Sequence, residues 1–339
     1  NQSRSQNKTS KKRALNLNPI PLCKYMKFIN KKGSGSMLKL GKAEKIIEVE
    51  IEELQENELS NVNTLVVGSP GTAKDLTVTV PNILFEENKN IFVFDANNEL
   101  ANPYAYKGLD EYKEKQGYKI WRYDLMEEGL LDKINHILTT QDSEKHFVHI
   151  HFKQEVFTVY DRRYRELTEH HNKIKELVYQ VMCQIRLSND DRAKRGFHLF
   201  LMNADSYHSN NIAECFATFR GYNIGITMSV SSVKSVDETL LENTFYIVLK
   251  AQKDKEEANC ITEKLKYHHL NCIGTKFTPS EYGSLLISTP LTASMLQDLP
   301  NDMALVCKRV ICRKDRTHKE AGWNRLVETY NAMEILLCK

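Results

Sequence analysis

From Lys45 to Ile51 the chain reads K-I-I-E-V-E-I, apolar and charged residues in near alternation, which predicts a half-exposed strand. A different pattern follows at 64–68, where T-L-V-V-G is short, apolar, rich in β-branched residues and closed by glycine. Such a run predicts a strand buried on both faces, as in a parallel sheet. N-I-F-V-F-D at 90–95, K-I-W-R-Y-D at 119–124 and H-F-V-H-I-H-F at 146–152 predict three more strands. F-H-L-F-L-M at 197–202, N-I-G-I-T-M-S-V at 223–230, T-F-Y-I-V-L-K at 244–250 and M-A-L-V-C-K at 303–308 complete the set. Between them lie helical patterns. The clearest runs from about Tyr160 to Arg186, with Leu167, Ile174, Val178, Val181 and Ile185 close to one face. A final helix is predicted over roughly 321–337, its packing side carrying Leu326, Tyr330, Met333, Leu336 and Leu337. Strand–helix alternation of this kind predicts an α/β domain with a mostly parallel sheet flanked by helices.

Composition changes the picture at one end only. Over 339 residues, 41% apolar and 27% charged, the chain is ordinary for a globular α/β domain, and no apolar run is long enough to span a membrane. The net charge of +3 conceals an asymmetry: residues 1–32 hold nine Lys/Arg and no Asp or Glu, leaving 47 − 9 = 38 basic against 44 acidic residues. The body, 38–339, is therefore mildly acidic, which argues against a general nucleic-acid surface there. Residues 33–37, G-S-G-S-M, separate the two regimes. They read as a Gly/Ser linker joining a basic peptide, 1–32, to a separate start, with a native flexible loop as the alternative. Within that peptide, Pro19, Pro21, Leu22, Tyr25, Met26, Phe28 and Ile29 are candidate anchors for a groove on a protein partner. The other reading is a native basic arm for nucleic acid or membrane headgroups.

Candidate chemistry concentrates at 66–75, V-V-G-S-P-G-T-A-K-D. The phosphate-loop pattern G-x-x-x-x-G-K-[ST] would begin at Gly68, include Gly71 and place Lys74 correctly. Ala73 stands where the second glycine belongs, and Asp75 where the hydroxyl belongs. Other candidates are weaker. His149 and His151 share a strand face, but no Cys or acidic pair accompanies them at metal-ligand spacing, so no metal is expected. Eight scattered cysteines without a C-x-x-C pair read as reduced, and neither Cys215 nor Cys260 sits in a nucleophile motif.

The landmarks beyond the loop fall in a telling order: V-P-N-I-L at 80–84, F-V-F-D-A-N-N-E-L at 92–100, and G-Y-K-I-W-R-Y-D-L at 117–125. L-F-L-M-N-A-D at 199–205, F-A-T-F-R-G-Y-N-I-G-I at 216–226 and L-T-A-S-M-L-Q-D-L-P-N-D-M-A-L-V at 291–306 follow. This series resembles the TraG/TraD-type coupling proteins of conjugation and type IV secretion, over roughly residues 40–320. The resemblance implies a RecA-like P-loop NTPase fold, with the family's all-α insertion missing, since only residues 126–145 separate two predicted strands. It implies that Asn203 and Ala204 occupy the positions of the magnesium-anchoring aspartate and the catalytic glutamate, neither of which can do that work. Ser231 and Ser235 stand near the family's sensing glutamines. Lys74, Asp95, Glu99 and Arg220 keep the family's residue types, Arg220 as a vestigial arginine finger. The expectation is a vestigial nucleotide site of Gly68, Gly71, Lys74, Asp75, Asp95, Glu99, Asn203, Ala204 and Arg220, with no catalytic residue and no cofactor. The domain would be a protein-binding component of a transfer apparatus, cytoplasmic, at the inner face of a bacterial inner membrane. A divergent ATPase that binds ATP and magnesium and powers translocation is the alternative.

Overall fold

The computed structural model describes residues 38–44, 51–56, 62–102, 104, 106–140, 144–152, 164–188, 196–234, 236–268, 272–280, 283–290, 292–308, 311–312, 319–320 and 323–337. The basic peptide, its candidate anchors and the Gly/Ser linker lie outside these residues.

In chain order the first elements are β1 (Leu38–Glu44), β2 (Ile51–Glu56), β3 (Thr64–Val67), α1 (Val80–Phe85), β4 (Asn90–Asp95), α2 (Leu109–Lys115) and β5 (Tyr118–Asp124). Then come α3 (Leu130–Thr139), β6 (Lys145–His151), α4 (Tyr164–Ser188), β7 (Phe197–Met202), α5 (Asn210–Thr218), β8 (Ile224–Val230), α6 (Glu238–Glu242) and β9 (Tyr246–Leu249). The last third holds α7 (Lys255–His268), β10 (Cys272–Ser280), β11 (Gly283–Pro290), α8 (Ala293–Gln297) and β12 (Met303–Lys308). It closes with β13 (Ile311–Cys312), β14 (Lys319–Glu320), β15 (Trp323–Glu328) and α9 (Ala332–Leu337).

Eleven strands form one sheet in the order β2-β1-β15-β12-β9-β3-β8-β7-β4-β6-β5. From β9 to β5 every neighbour pairs in parallel, whereas β12, β15, β1 and β2 extend the β9 edge antiparallel. The apolar runs are explained by burial on both faces. Along β4, Phe92 and Phe94 join a core with α3, α4, α5, α6 and α7, while Ile91 and Val93 join one with α1, α2 and α9. Val66 and Val248 turn instead to a third core shared with β1, β12 and β15.

Of the strand expected at 45–51, residues 45–50 lie outside the described residues, and Ile51 opens β2, which pairs antiparallel with β1 as Leu38↔Glu56 through Glu44↔Ile51. One expected element is corrected. The long C-terminal helix is a strand followed by a short helix. Residues 323–328 pair with β12, burying Val327 and leaving Leu326 exposed, so the period there is two and only α9 is helical. An open β12 edge offers a full ladder of backbone hydrogen bonds to Trp323–Glu328, and that outweighs a weak helical spacing. Between β5 and β6 the described residues hold the helix α3.

Candidate nucleotide site at the carboxyl ends of the parallel strands

The phosphate-loop residues occupy the turn between β3 and the helical run that ends in α1. Gly68 donates its N–H to Val230 O at 3.1 Å, and Ser69 donates to Ala251 O at 3.1 Å, tying the loop to the ends of β8 and β9. A Cβ on Gly68 would fall 2.7 Å from Lys250 Cβ, so only glycine fits. Gly71 is left-handed at φ +77°, and the Lys253 ammonium lies over it, 3.2 Å from Pro70 O. Ala73 is left-handed as well, at φ +57°. A Cβ in that region costs roughly 1–2 kcal/mol, so the loop holds at Ala73 a backbone that favours glycine. Residues Asp75–Thr79 form a wide π-type turn before α1. Pro81 has no N–H to return to the Thr77 carbonyl, which accounts for the widened turn.

Lys74 points inward. Its ammonium donates to Asn203 Oδ1 at 2.7 Å and pairs with Asp75 Oδ2 at 3.0 Å, both side chains being more than nine-tenths buried. Asp75 Oδ1 accepts from Ser229 Oγ at 2.7 Å and from Thr79 Oγ1 at 3.0 Å. Ser229 Oγ in turn accepts the Asn203 N–H at 3.0 Å, and Asn203 Nδ2 donates to Glu99 Oε1 at 2.8 Å. Burial, reinforced by the Asp75 charge, raises the Glu99 carboxyl above its ordinary value. Asn203 follows β7 at φ +51°, and Ala204 beside it is fully buried.

Asp95, at the end of β4, is also fully buried. It takes the Leu100 N–H at 2.8 Å and the Asn97 N–H at 3.3 Å, holding the turn that presents Glu99. Burial pushes its carboxyl up, but the His149 hydrogen bond and the N–H donors outweigh that and leave it below the usual range. His149 Nδ1 lies 2.5 Å from the Arg122 guanidinium, which only donates, so Nε2 carries the proton and donates to Asp95 Oδ2 at 3.1 Å. Burial keeps this imidazole below its ordinary pKa. His149 is therefore a buried orienting partner of Asp95. Cys215, considered as a nucleophile, has its thiol pushed up to about 12 by burial.

The structure thus brings together Gly68, Gly71, Lys74, Asp75, Asp95, Glu99, Asn203 and Ala204. Arg220 is elsewhere. It precedes β8, which runs from Ile224 to Val230 beside Gly68, so a strand length of about 20 Å separates it from the loop of its own chain. Sequence reasoning passed over Ser229 and Asp205. Asp205 accepts the Ser231 N–H at 2.8 Å and the Ser232 N–H at 3.2 Å, fixing the segment after β8. Its place one residue beyond Ala204 was the available signal.

A phosphate-loop turn after β3, with β8 inserted between β3 and β7, gives the strand order β9-β3-β8-β7-β4 of the RecA-like P-loop NTPase class. Within that class, residues 27–149 match the family model described as type IV secretory system conjugative DNA transfer. That match overlaps the first part of the resemblance to TraG/TraD-type coupling proteins read from the sequence, and it covers a little over a third of the chain. No curated protein matches the chain. Among solved structures, the bacterial conjugative coupling protein TrwB lacking its first 70 residues is similar at TM-score 0.47 and 10% identity, over 82% of this chain and 91% of that one. The genome packaging NTPase B204 from Sulfolobus turreted icosahedral virus 2, bound to sulfate, gives 0.44 and 12%, over 79% and 96%. ATPases 2 and 3 of EssC from Geobacillus thermodenitrificans give 0.41 and 13%, over 89% and 46%. Among the described residues no helix is long and apolar enough to cross a membrane.

Proposed function

We propose that this chain is a coupling-protein-like domain of a conjugative or type IV secretion apparatus that no longer hydrolyses ATP and serves as a protein-binding component. One observation carries the reading: the end of β7 offers no carboxylate to a hydrolytic water. Asn203 is committed to Lys74 and Glu99, Ala204 has no functional group, and Asp205 is taken by two backbone N–H groups. General-base or water-positioning chemistry at a γ-phosphate needs a polar group there. The expected location is cytoplasmic, at the inner face of a bacterial inner membrane, with no resident cofactor. The purified protein with magnesium-ATP should show no turnover above background. Turnover abolished by Lys74→Ala would overturn the proposal.

A second reading, a divergent ATPase that powers translocation, is favoured by the retained left-handed backbone at Gly71 and Ala73. The same assay decides between them. For the partner, we propose that residues 1–32 act as a bound peptide through Pro19, Pro21, Leu22, Tyr25, Met26, Phe28 and Ile29. Deleting 1–37 should then lower the unfolding temperature, and a peptide spanning 19–29 added in trans should restore it. Unchanged stability with loss of salt-sensitive DNA binding would instead make the segment a nucleic-acid arm.

A further inference from the structure

We propose that Asp75 is an internal anion that fills the phosphate position of its own loop, so that an arriving oxyanion must displace a carboxylate already seated on Lys74. The inference rests on reading this turn as a phosphate loop, and it concerns occupancy rather than turnover.

The donor set around Asp75 is one that would suit a phosphate group. Its Oδ2 faces the Lys74 ammonium at 3.0 Å, and its Oδ1 takes two hydroxyls, Ser229 Oγ at 2.7 Å and Thr79 Oγ1 at 3.0 Å. A cation and two convergent hydroxyl donors are what phosphate oxygens require. The charge balance agrees. Lys74 is the loop's own lysine, and Asp75 neutralises it within a buried network, with Glu99 and Asp95 adding negative charge behind it. A phosphate that reaches Lys74 therefore meets an ammonium already paired with a carboxylate, and the Lys253 ammonium over Gly71 is the other cation of the loop. The loop nevertheless keeps its shape, because Ala73 still adopts φ +57°. The contact is autoinhibitory: the ammonium is in place, and the protein's own carboxylate occupies it. Removing that carboxylate should expose a site for phosphate-like dianions that needs no magnesium.

Thermal unfolding of the full chain with increasing sodium sulfate, against sodium chloride at matched ionic strength, tests this without nucleotide or metal. The native protein should respond equally to both salts. Asp75→Asn should unfold several degrees lower and be restored selectively by sulfate, or by pyrophosphate at lower concentration, with an apparent affinity at least tenfold tighter than native. Lys74→Met/Asp75→Asn should show no selective rescue. Should Asp75→Asn fail to fold, Ser229→Ala decides, since it keeps the ion pair and only loosens the carboxylate: a selective sulfate response supports the proposal, and its absence overturns it. A native protein stabilised by sulfate as strongly as Asp75→Asn, or an Asp75→Asn protein indifferent to sulfate, also overturns it. ATP turnover by the native protein would sink the pseudo-ATPase reading and leave this outcome to be read separately.

Discussion

Two buried polar clusters sit at opposite ends of the same parallel strands, and they are satisfied in different ways. At the amino ends, Lys113 is fully buried and donates to Glu86 O at 2.7 Å, Gln116 Oε1 at 2.8 Å and Leu84 O at 3.3 Å. Tyr118 Oη lies 3.0 Å from Glu86 O and 2.9 Å from Lys89 O and shares its one proton between them, and the Glu86 carboxylate takes the Asn88 and Lys89 N–H groups and faces His198. Here side chains mostly answer backbone, capping the end of α1 and stapling it to α2 and β5. At the carboxyl ends, Lys74, Asp75, Ser229, Asn203 and Glu99 answer mainly one another. A cluster anchored on backbone has partners that no ligand can replace. A cluster of side chains has partners that another anion or cation can exchange, which is why only the second reads as a candidate binding site.

The sharpest way to break this comparison is Lys74→Met. Removing one member of a buried ion pair strands Asp75, and the loss should be about 3–5 kcal/mol by urea unfolding. Lys74→Met/Asp75→Leu should recover most of it. A coupling energy below about 1 kcal/mol in that double-mutant cycle would show that the pair is not the unit described.

Lys113→Met should cost less near neutral pH, about 1–2 kcal/mol, because Leu84 O keeps Gln116 Nε2 at 3.0 Å and Glu86 O keeps Tyr118 Oη. The cost of Lys113→Met should grow with pH. Burial lowers the Lys113 ammonium to about 7 from 10.5, so between those values the unfolded chain binds the proton and the folded one does not. Native stability therefore rises with pH across that window, by at most about 1.4 kcal/mol per unit from this group. Lys89, lowered to about 8, adds in the same direction and survives in the variant. Equal pH slopes for native and Lys113→Met proteins between pH 7 and 10 would remove Lys113 from the account.

The smallest effect concerns Ala73. Replacing an alanine by glycine usually destabilises, but at φ +57° the lost Cβ strain should outweigh the added chain entropy. Ala73→Gly should stabilise by about 0.5 kcal/mol, read as a small rise in the denaturant midpoint. A fall of the size seen at ordinary helical alanines would show that the loop relaxes out of its left-handed turn.

Much of this was legible in the sequence where local pattern and burial coincide. The run T-L-V-V-G could be nothing but a buried strand meeting a turn, because its side chains are apolar on both sides of the pleat. That Asn203 and Ala204 carry no carboxylate was legible from residue type alone, whereas an acid pair is expected there only by the resemblance. The antiparallel edge was not legible: Trp323–Glu328 can serve a helix or a strand, and the open edge of β12 decides. Arg220 carried a suggestive residue type, but which end of β8 it occupies is a question of topology.

By itself, the sequence determined the alternating architecture and the lack of a carboxylate at positions 203 and 204, since each depends on neighbours along the chain. Only the tertiary structure decided where Lys74 points. Its partners Asp75, Asn203 and, through them, Ser229 and Glu99 converge from four strand ends, β3, β7, β8 and β4. A charge seeks the nearest satisfactory partner in a low-dielectric interior, and which partner is nearest is fixed by sheet order.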